Sequence, residues 1–305
     1  MSTSIREEIT KLESQLSKVV AGKAEAIRQV MIAMFCGGHV LIEDLPGMGK
    51  TTLAQALAAS LDTDFGRIQF TADLLPADIV GVEIFNPAER KFEFHPGPIF
   101  HHIVLADEIN RATPKAQSAL LEAMAEGQVS IERETRKLPE PFFVLATQNP
   151  QEHLGTFPLP ESQLDRFFMR LSLGYPDQAA ERQLLRGEAG RSQLSQLKPV
   201  ADMALLNVAR QEADKVHVAD LLMDYLLNLL ELSRSGEWLK QGVSPRAGKD
   251  LLQAAKAQAW IDGRDFVAAA DIQEMWLPCL AHRVVAAGEN EAALQLLLEQ
   301  VPVPA

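Results

Sequence analysis

The stretch Leu41-Ile42-Glu43-Asp44-Leu45-Pro46-Gly47-Met48-Gly49-Lys50-Thr51-Thr52 constrains this chain more than any other. An apolar run from His39 to Ile42, short enough for a buried strand, passes through Pro46-Gly47 and Gly49. An alanine- and leucine-rich segment with helical spacing follows, at Leu53, Ala54, Leu57, Ala58 and Leu61. Strand, glycine loop, Lys-Thr and helix form the layout of a phosphate-binding loop. Glycines let the backbone curl so that successive N–H groups point inward, and the helix N-terminus adds partial positive charge. A chance Gly-Lys-Thr in a turn would lack this strand-to-helix setting. In the layout, Leu45, Pro46, Gly47, Met48, Gly49, Lys50, Thr51 and Thr52 cradle a nucleotide. Lys50 reaches its outer phosphates, and the Thr51 hydroxyl sits on magnesium. The common G-x-x-x-x-G-K-T pattern has glycine where this chain has Asp44. That residue starts the loop rather than forming the cradle, so the departure is expected to be tolerated.

Apolar periodicity organises the rest. Ile5, Ile9, Leu12, Leu16 and Val19 fall on one helical face, which reads as a helix docked on its own domain. Val20-Ala21-Gly22-Lys23 breaks that pattern before a second helix from about Glu25 to Phe35. Further strands are expected over Arg67–Thr71, Ile103–Ala106, Phe142–Thr147 and Met169–Gly174. Two alternating runs around Asn86-Pro87 predict a hairpin inserted in or near a helix, closed by His95-Pro96-Gly97-Pro98. Thr113-Pro114 predicts a helix start with a capping hydroxyl, Gly127 its stop, and Gln128–Leu138 a hairpin turning at Arg133-Glu134. From about Asp177 strand-like runs vanish, and helices are expected near 177–188, 201–214, 218–233, 245–260 and 270–285. The pattern predicts an α/β core with a parallel five-stranded sheet over residues 1–190 and a smaller all-α unit over 191–305.

Composition excludes some classes. At 305 residues, 47% apolar and 23% charged, the chain fits a soluble globular protein with ample core. It shows no apolar leader and no run long enough to span a membrane, and its two cysteines, Cys36 and Cys279, make no metal spacing. A reducing, cytoplasmic setting is the expectation. A net charge of −12 without a Lys/Arg block argues against nucleic acid as substrate.

Asp107-Glu108, following an apolar strand, supplies the second half of an ATPase site. Asp107 holds the magnesium, normally through water, and Glu108 orients and deprotonates the attacking water. Phosphoryl transfer needs positioning and charge stabilisation more than covalent chemistry. The pair is expected one strand over from the phosphate loop. Asn149, at the end of the fourth strand, can touch both the γ-phosphate and the water, or can be a plain turn residue before Pro150. Arg166 lies between apolar anchors in Leu164-Asp165-Arg166-Phe167, with a surface pair to Asp165 as the bland alternative. Arg246 follows Ser244-Pro245 in a first helical turn, where a cation is unfavourable by roughly 0.3–1 kcal/mol unless an anion lies nearby.

Taken together, these stretches resemble the MoxR family of AAA+ ATPases. The likeness is carried by the phosphate loop, Pro96-Gly97-Pro98-Ile99-Phe100, Ala106-Asp107-Glu108-Ile109-Asn110-Arg111-Ala112 and Ala119-Leu120-Leu121-Glu122-Ala123-Met124. It continues in Ala146-Thr147-Gln148-Asn149-Pro150, Pro158-Leu159-Pro160-Glu161, Gln163-Leu164-Asp165-Arg166-Phe167 and Gly242-Val243-Ser244-Pro245-Arg246-Ala247. The resemblance implies a P-loop NTPase core followed by a helical lid, with Asn149 as the sensor-1 residue and Arg246 as the sensor-2 arginine. It implies that Arg166 is an arginine finger completing the neighbouring subunit's site. Residues 72–98 look like the family's helix-2 insert and 128–138 like its hairpin before sensor 1; in related rings both face the pore. Val20, Ala21 and Gly22 match the stretch that walls the adenine. The implied cofactors are ATP and Mg2+. The implied assembly is a homo-oligomeric ring, a hexamer, acting as a chaperone-like remodeller of a protein client. A partner with a von Willebrand factor A domain and maturation or cofactor insertion in the client are further implications.

Two functions of different class follow. One is a motor that couples ATP hydrolysis to remodelling; the other is a nucleotide-gated assembly switch with little turnover. A small-molecule kinase fits poorly with Asp107-Glu108 at a strand end and a separate helical unit bearing Arg246.

Overall fold

Five of the apolar runs assemble into one parallel sheet. The computed structural model of the chain describes residues 2–131, 134–150 and 155–304. In chain order the first half holds α1 (Ser2–Val19), α2 (Ala24–Phe35), β1 (Val40–Glu43), α3 (Lys50–Ser60), β2 (Phe65–Gln69), α4 (Pro76–Val80), β3 (Gly81–Asn86) and β4 (Lys91–Pro96). Next come β5 (Ile103–Asp107), α5 (Pro114–Glu126), β6 (Gln128–Ile131), β7 (Glu134–Lys137), β8 (Phe143–Gln148), α6 (Glu161–Leu164) and β9 (Met169–Leu171). The remainder holds α7 (Gln178–Leu185), α8 (Met203–Asp214), α9 (Asp220–Ser233), β10 (Leu239–Gln241), α10 (Pro245–Ile261), α11 (Ala269–Leu280), β11 (Val285–Ala286) and α12 (Asn290–Gln300).

The sheet order is β2-β5-β8-β1-β9, with every neighbouring pair parallel. Strand alternation divides the core in two. Val40, Ile42, Ile103, Leu105, Phe143 and Leu145 join Leu12, Leu16, Ile27, Leu53 and Trp276 in one cluster. Leu41, Val104, Ala106, Val144 and Ala146 face the other way, with Ile79, Leu120 and Leu121. Covering both faces explains why these strands read as unbroken apolar runs. The apolar stripe of α1 is spent inside the molecule, against α2 and α3.

The order corrects one expectation. Asp107 ends β5, and β8 lies between β5 and β1, so the carboxylate pair sits two strands from the phosphate loop rather than one. A strand that follows both in the chain inserts between them, and order along the chain does not reveal this. A second difference is local. Thr113 takes the extended N-cap conformation before Pro114, yet its hydroxyl makes no capping bond. Gly127 stops α5 as expected, in the left-handed conformation at φ 62°.

Both expected hairpins form. In the first, Gly81–Asn86 pairs antiparallel with Lys91–Pro96, and the Asn86 carboxamide oxygen accepts the Ala88 and Glu89 N–H groups to shape the turn. In the second, Gln128 pairs with Lys137, while the expected turn residue Arg133 lies outside the described residues. Arg136 joins the two. Its guanidinium lies 4.1 Å from the Phe94 ring centroid and donates to Glu83 at 3.4 Å and to Glu134 at 2.6 Å.

After β9 the helices fall where expected, with two additions. β10 and β11 form a short antiparallel pair, too brief for periodicity to reveal, and α12 buries only Leu294 and Leu297. Helices α8 and α10 pack on α2, and α11 packs on β9. Buried Arg283, just past α11, donates to the Phe167 carbonyl and to Asp250 at 2.7 Å.

Candidate functional site: a phosphate loop beside an acidic strand end

β1 delivers the chain to a loop whose shape depends on two glycines. Gly47 and Gly49 have φ of 88° and 95°, a region strained for any other residue. Neither would clash through an added Cβ, since Gly47 meets nothing within 4 Å and Gly49 meets Val20 Cγ1 at 3.8 Å. Conformation, not space, selects glycine here. Gly49 is the N-cap of α3, so Lys50, Thr51 and Thr52 occupy the first turn, where backbone N–H groups have no helical partner.

Lys50 Nζ donates to the Asp44 carbonyl at 2.8 Å and the Leu45 carbonyl at 3.3 Å. Burial pushes its ammonium pKa down, while the negative charges of Asp44, Asp107 and Glu108 push it back up. The cation is therefore partly desolvated but lies in the field of three negative charges. It is held ready for an anion that can outbid carbonyl oxygens.

Across β8, Asp107 and Glu108 are fixed by a residue the sequence reading assigned no role. The buried Thr147 hydroxyl donates to Asp107 Oδ1 at 2.7 Å and accepts the Glu108 N–H at 2.9 Å. Glu108 is left-handed, with φ 58°, which turns its side chain out of the strand direction. Gln69 donates to Glu108 Oε2 at 3.0 Å, Arg111 lies 3.3 Å from the same oxygen, and Arg67 donates to Asp107 Oδ2 at 2.7 Å. Thr147 sits in Ala146-Thr147-Gln148-Asn149-Pro150, and a hydroxyl on an otherwise apolar strand was the available signal. Gln69 and Arg67 gave none, because their strand alternates with solvent.

The predicted residues converge. Pro46, Gly47, Gly49, Lys50, Thr51, Thr52, Asp107, Glu108 and buried Asn149 line one cavity of about 260 Å³. A second cavity of about 430 Å³ shares Gly47, Gly49 and Thr52 with it and is walled by Val20, Ala21, Met48, Tyr175 and Pro176. A small polar chamber opening on a larger apolar slot suits a phosphate chain carrying a base. Gly22 stands behind the slot; a Cβ there would approach Ala180 Cβ to 2.7 Å, so glycine permits the close packing of α7. Leu45 contributes its carbonyl to Lys50 rather than a wall.

The donor set fits a magnesium ion. Thr51 offers a hydroxyl and Asp107 a carboxylate within one chamber. Among the described residues no group of three His, Cys, Asp or Glu forms an all-protein cage. Magnesium characteristically takes one or two protein oxygens and completes its shell with water and substrate phosphates.

Two predicted residues lie elsewhere. Arg166 lines neither cavity, and its guanidinium donates to the Leu121 carbonyl. Arg246, exposed in the first turn of α10 behind the Ser244 cap, lies 3.7 Å from Asp165 Oδ2. Asp165 also lies 3.7 Å from Arg283, so its partners are one arginine at the start of α10 and one just past α11. Arg166 follows Asp165 in sequence and Arg246 meets its carboxylate in space, and neither arginine lines the two cavities.

Comparison with known proteins agrees with this geometry. The family model described as "ATPase family associated with various cellular activities (AAA)" matches residues 39–169, and that described as "AAA lid domain" matches 231–300. The Bacillus subtilis protein YeaC, itself uncharacterised, is 42% identical over 96% of this chain and 94% of its own length. The Mycobacterium tuberculosis protein named chaperone MoxR1 is 37% identical over 89% of this chain and 74% of its own. A crystal structure from Cytophaga hutchinsonii, of a protein assigned as an ATPase, superposes with a TM-score of 0.90 at 36% identity, covering 100% of this chain and 97% of that one.

Proposed function

Since the chain belongs to the MoxR family of AAA+ ATPases, we propose that it hydrolyses Mg-ATP and uses the cycle for chaperone-like remodelling of a protein client. The observation that carries the reading is the meeting of Lys50, Thr51, Asp107, Glu108 and Asn149 in one chamber beside an apolar slot.

Each residue then has a task. The loop N–H groups and Lys50 hold the β- and γ-phosphates and offset their charge. Thr51 and Asp107 would hold the magnesium, which would supply positive charge to offset that of the phosphates. Glu108 accepts a proton from the attacking water, and Asn149 donates to the γ-phosphate and orients that water. Thr147 keeps Asp107 and the Glu108 backbone in register. The base occupies the slot against Val20 and Ala21.

Arg166 acts on a neighbouring protomer's nucleotide in a homo-oligomeric ring, taken as a hexamer, and Arg246 is the sensor-2 arginine of the lid. Arg166 lines neither cavity of its own chain, and Arg246 is exposed in the first turn of α10; both facts support this reading. We place the division between the ATPase core and the lid near residue 190. The two hairpins, tied by Arg136 and bearing exposed Phe85 and Phe92, are the surface offered to a client. A von Willebrand factor A domain partner and client maturation belong to the same reading. Among the described residues no helix is long and apolar enough to cross a membrane.

Glu108→Gln tests the proposal. Phosphate release should stop while Mg-ATP binding persists, and client remodelling should stop with it. Undiminished turnover in the variant removes the catalytic assignment. Remodelling that continues without turnover replaces the motor with a nucleotide-gated switch.

A further inference from the structure

Asp44 occupies the position where a glycine is usual, and its surroundings show what the side chain does. Its backbone is not in the left-handed region, so glycine's freedom is not needed there. The residue is buried, at 7% exposure, and lines neither cavity. Its carboxylate points instead to the connection that follows β9. Oδ1 accepts the Ser172 hydroxyl at 2.8 Å and the Gly174 N–H at 3.2 Å, and Oδ2 accepts the Leu173 N–H.

Gly174 is gripped at both ends. Its N–H is held by Asp44, and its carbonyl accepts Lys23 Nζ at 2.6 Å. Lys23 belongs to the α1–α2 linker, is itself 7% exposed, and borders the apolar slot. Burial lowers its pKa, opposed by Asp44 and Asp177, so the two buried charges offset one another. Tyr175 and Pro176, directly after Gly174, line the slot together with Gly47, Met48 and Gly49. Three walls of the slot therefore meet at one peptide unit: the phosphate loop through Asp44, the linker through Lys23, and the β9–α7 connection through Gly174 itself.

We propose that Asp44 is a positioning residue that fixes the wall of the base slot against the phosphate loop, so that it governs affinity for the nucleoside part of the ligand. The proposal rests on the nucleotide reading above. Asparagine at this position turns an NH2 group toward the donors of Ser172, Leu173 or Gly174, which releases the Tyr175-Pro176 wall. Thr51, Asp107 and Glu108 have no bond to the Asp44 side chain; Lys50 keeps its bond to the Asp44 carbonyl and loses only one opposing negative charge, which does not weaken its hold on phosphate. A merely structural Asp44 would weaken every ligand alike.

The test compares two probes, Mg-ATP and magnesium tripolyphosphate, by titration calorimetry on the full chain. Asp44→Asn should weaken Mg-ATP about tenfold, in line with loss of a charge-assisted hydrogen bond. Tripolyphosphate should bind no more weakly than to the wild type. In steady state KM for ATP should rise with kcat held. Ser172→Ala, which removes one donor and spares the fold, should show the same pattern at about threefold and decides the matter alone if Asp44→Asn does not fold. Parallel weakening of both probes, or unchanged Mg-ATP affinity in both variants, overturns the proposal. A wild-type protein that binds neither probe overturns the nucleotide reading as well; one that binds Mg-ATP as tightly with Asp44→Asn as without removes the positioning role only.

Discussion

The Thr147 hydroxyl donates to Asp107 Oδ1 at 2.7 Å across two adjacent strands, and Thr147 Oγ1 in turn accepts the Glu108 N–H at 2.9 Å. One hydroxyl thereby sets both the orientation of a metal-binding carboxylate and the left-handed backbone of the residue beside it. Thr147→Val keeps the shape and removes both bonds. It should lower kcat about 10–100-fold, the scale expected when reacting groups shift by about 1 Å. It should cost about 1–3 kcal/mol of stability through the unpaired groups, while Mg-ATP affinity changes only a few-fold. Thr147→Ser should restore most of the rate. Steady-state phosphate release alongside urea unfolding checks both statements.

Arg166 and Glu108 should complement across protomers. An arginine supplied in trans can raise hydrolysis by roughly 10³–10⁵, so wild-type specific activity should climb with protein concentration. Arg166→Ala and Glu108→Gln should each be nearly inactive alone. Mixed, they should recover activity, because an Arg166→Ala protomer keeps Glu108 and borrows arginine from its neighbour. A mixture as inactive as its parts contradicts the trans role.

Acid should destabilise the fold through buried histidines. His39 Nδ1 accepts the Val144 N–H at 3.1 Å, which leaves Nε2 to donate to the Met124 carbonyl at 3.2 Å. Burial pushes its pKa down to about 4, and burial beside Arg283 pushes that of His282 down to about 3. Unfolded histidine titrates near 6.5, so between that pH and the folded value only the unfolded chain takes up the proton. Stability is full above about pH 6.5 and falls as pH drops toward 4 for His39 and 3 for His282. From pH 7 to 5 each should remove roughly 2 kcal/mol. His39→Gln should shrink that difference, measured by urea midpoints at the two pH values; an unchanged slope would contradict the assignment.

Much of this was legible because it is local. The phosphate loop, the strand ending in Asp107-Glu108 and the Ser244-Pro245 helix start each sit within a dozen residues. What was illegible depends on pairings made far along the chain. The place of β8 between β5 and β1 follows from folding, not order. Asp44 reads as a tolerated exception until Ser172 and Gly174 are brought against it. Arg246 gave the right kind of signal, a cation in a first turn, but the anion beside it here is Asp165. β10 and β11 are too short to carry a period, and α12 buries too little to show an apolar stripe.

Titration of the wild-type chain, Glu108→Gln and Lys50→Ala with Mg-ATP tests the central claim most directly. Saturable heat is expected from the first two with similar dissociation constants, and a loss of at least about tenfold from Lys50→Ala, whose charge meets the phosphates. No saturation with the wild type, or Lys50→Ala binding as tightly as the wild type, would contradict the placement of a nucleotide in this chamber.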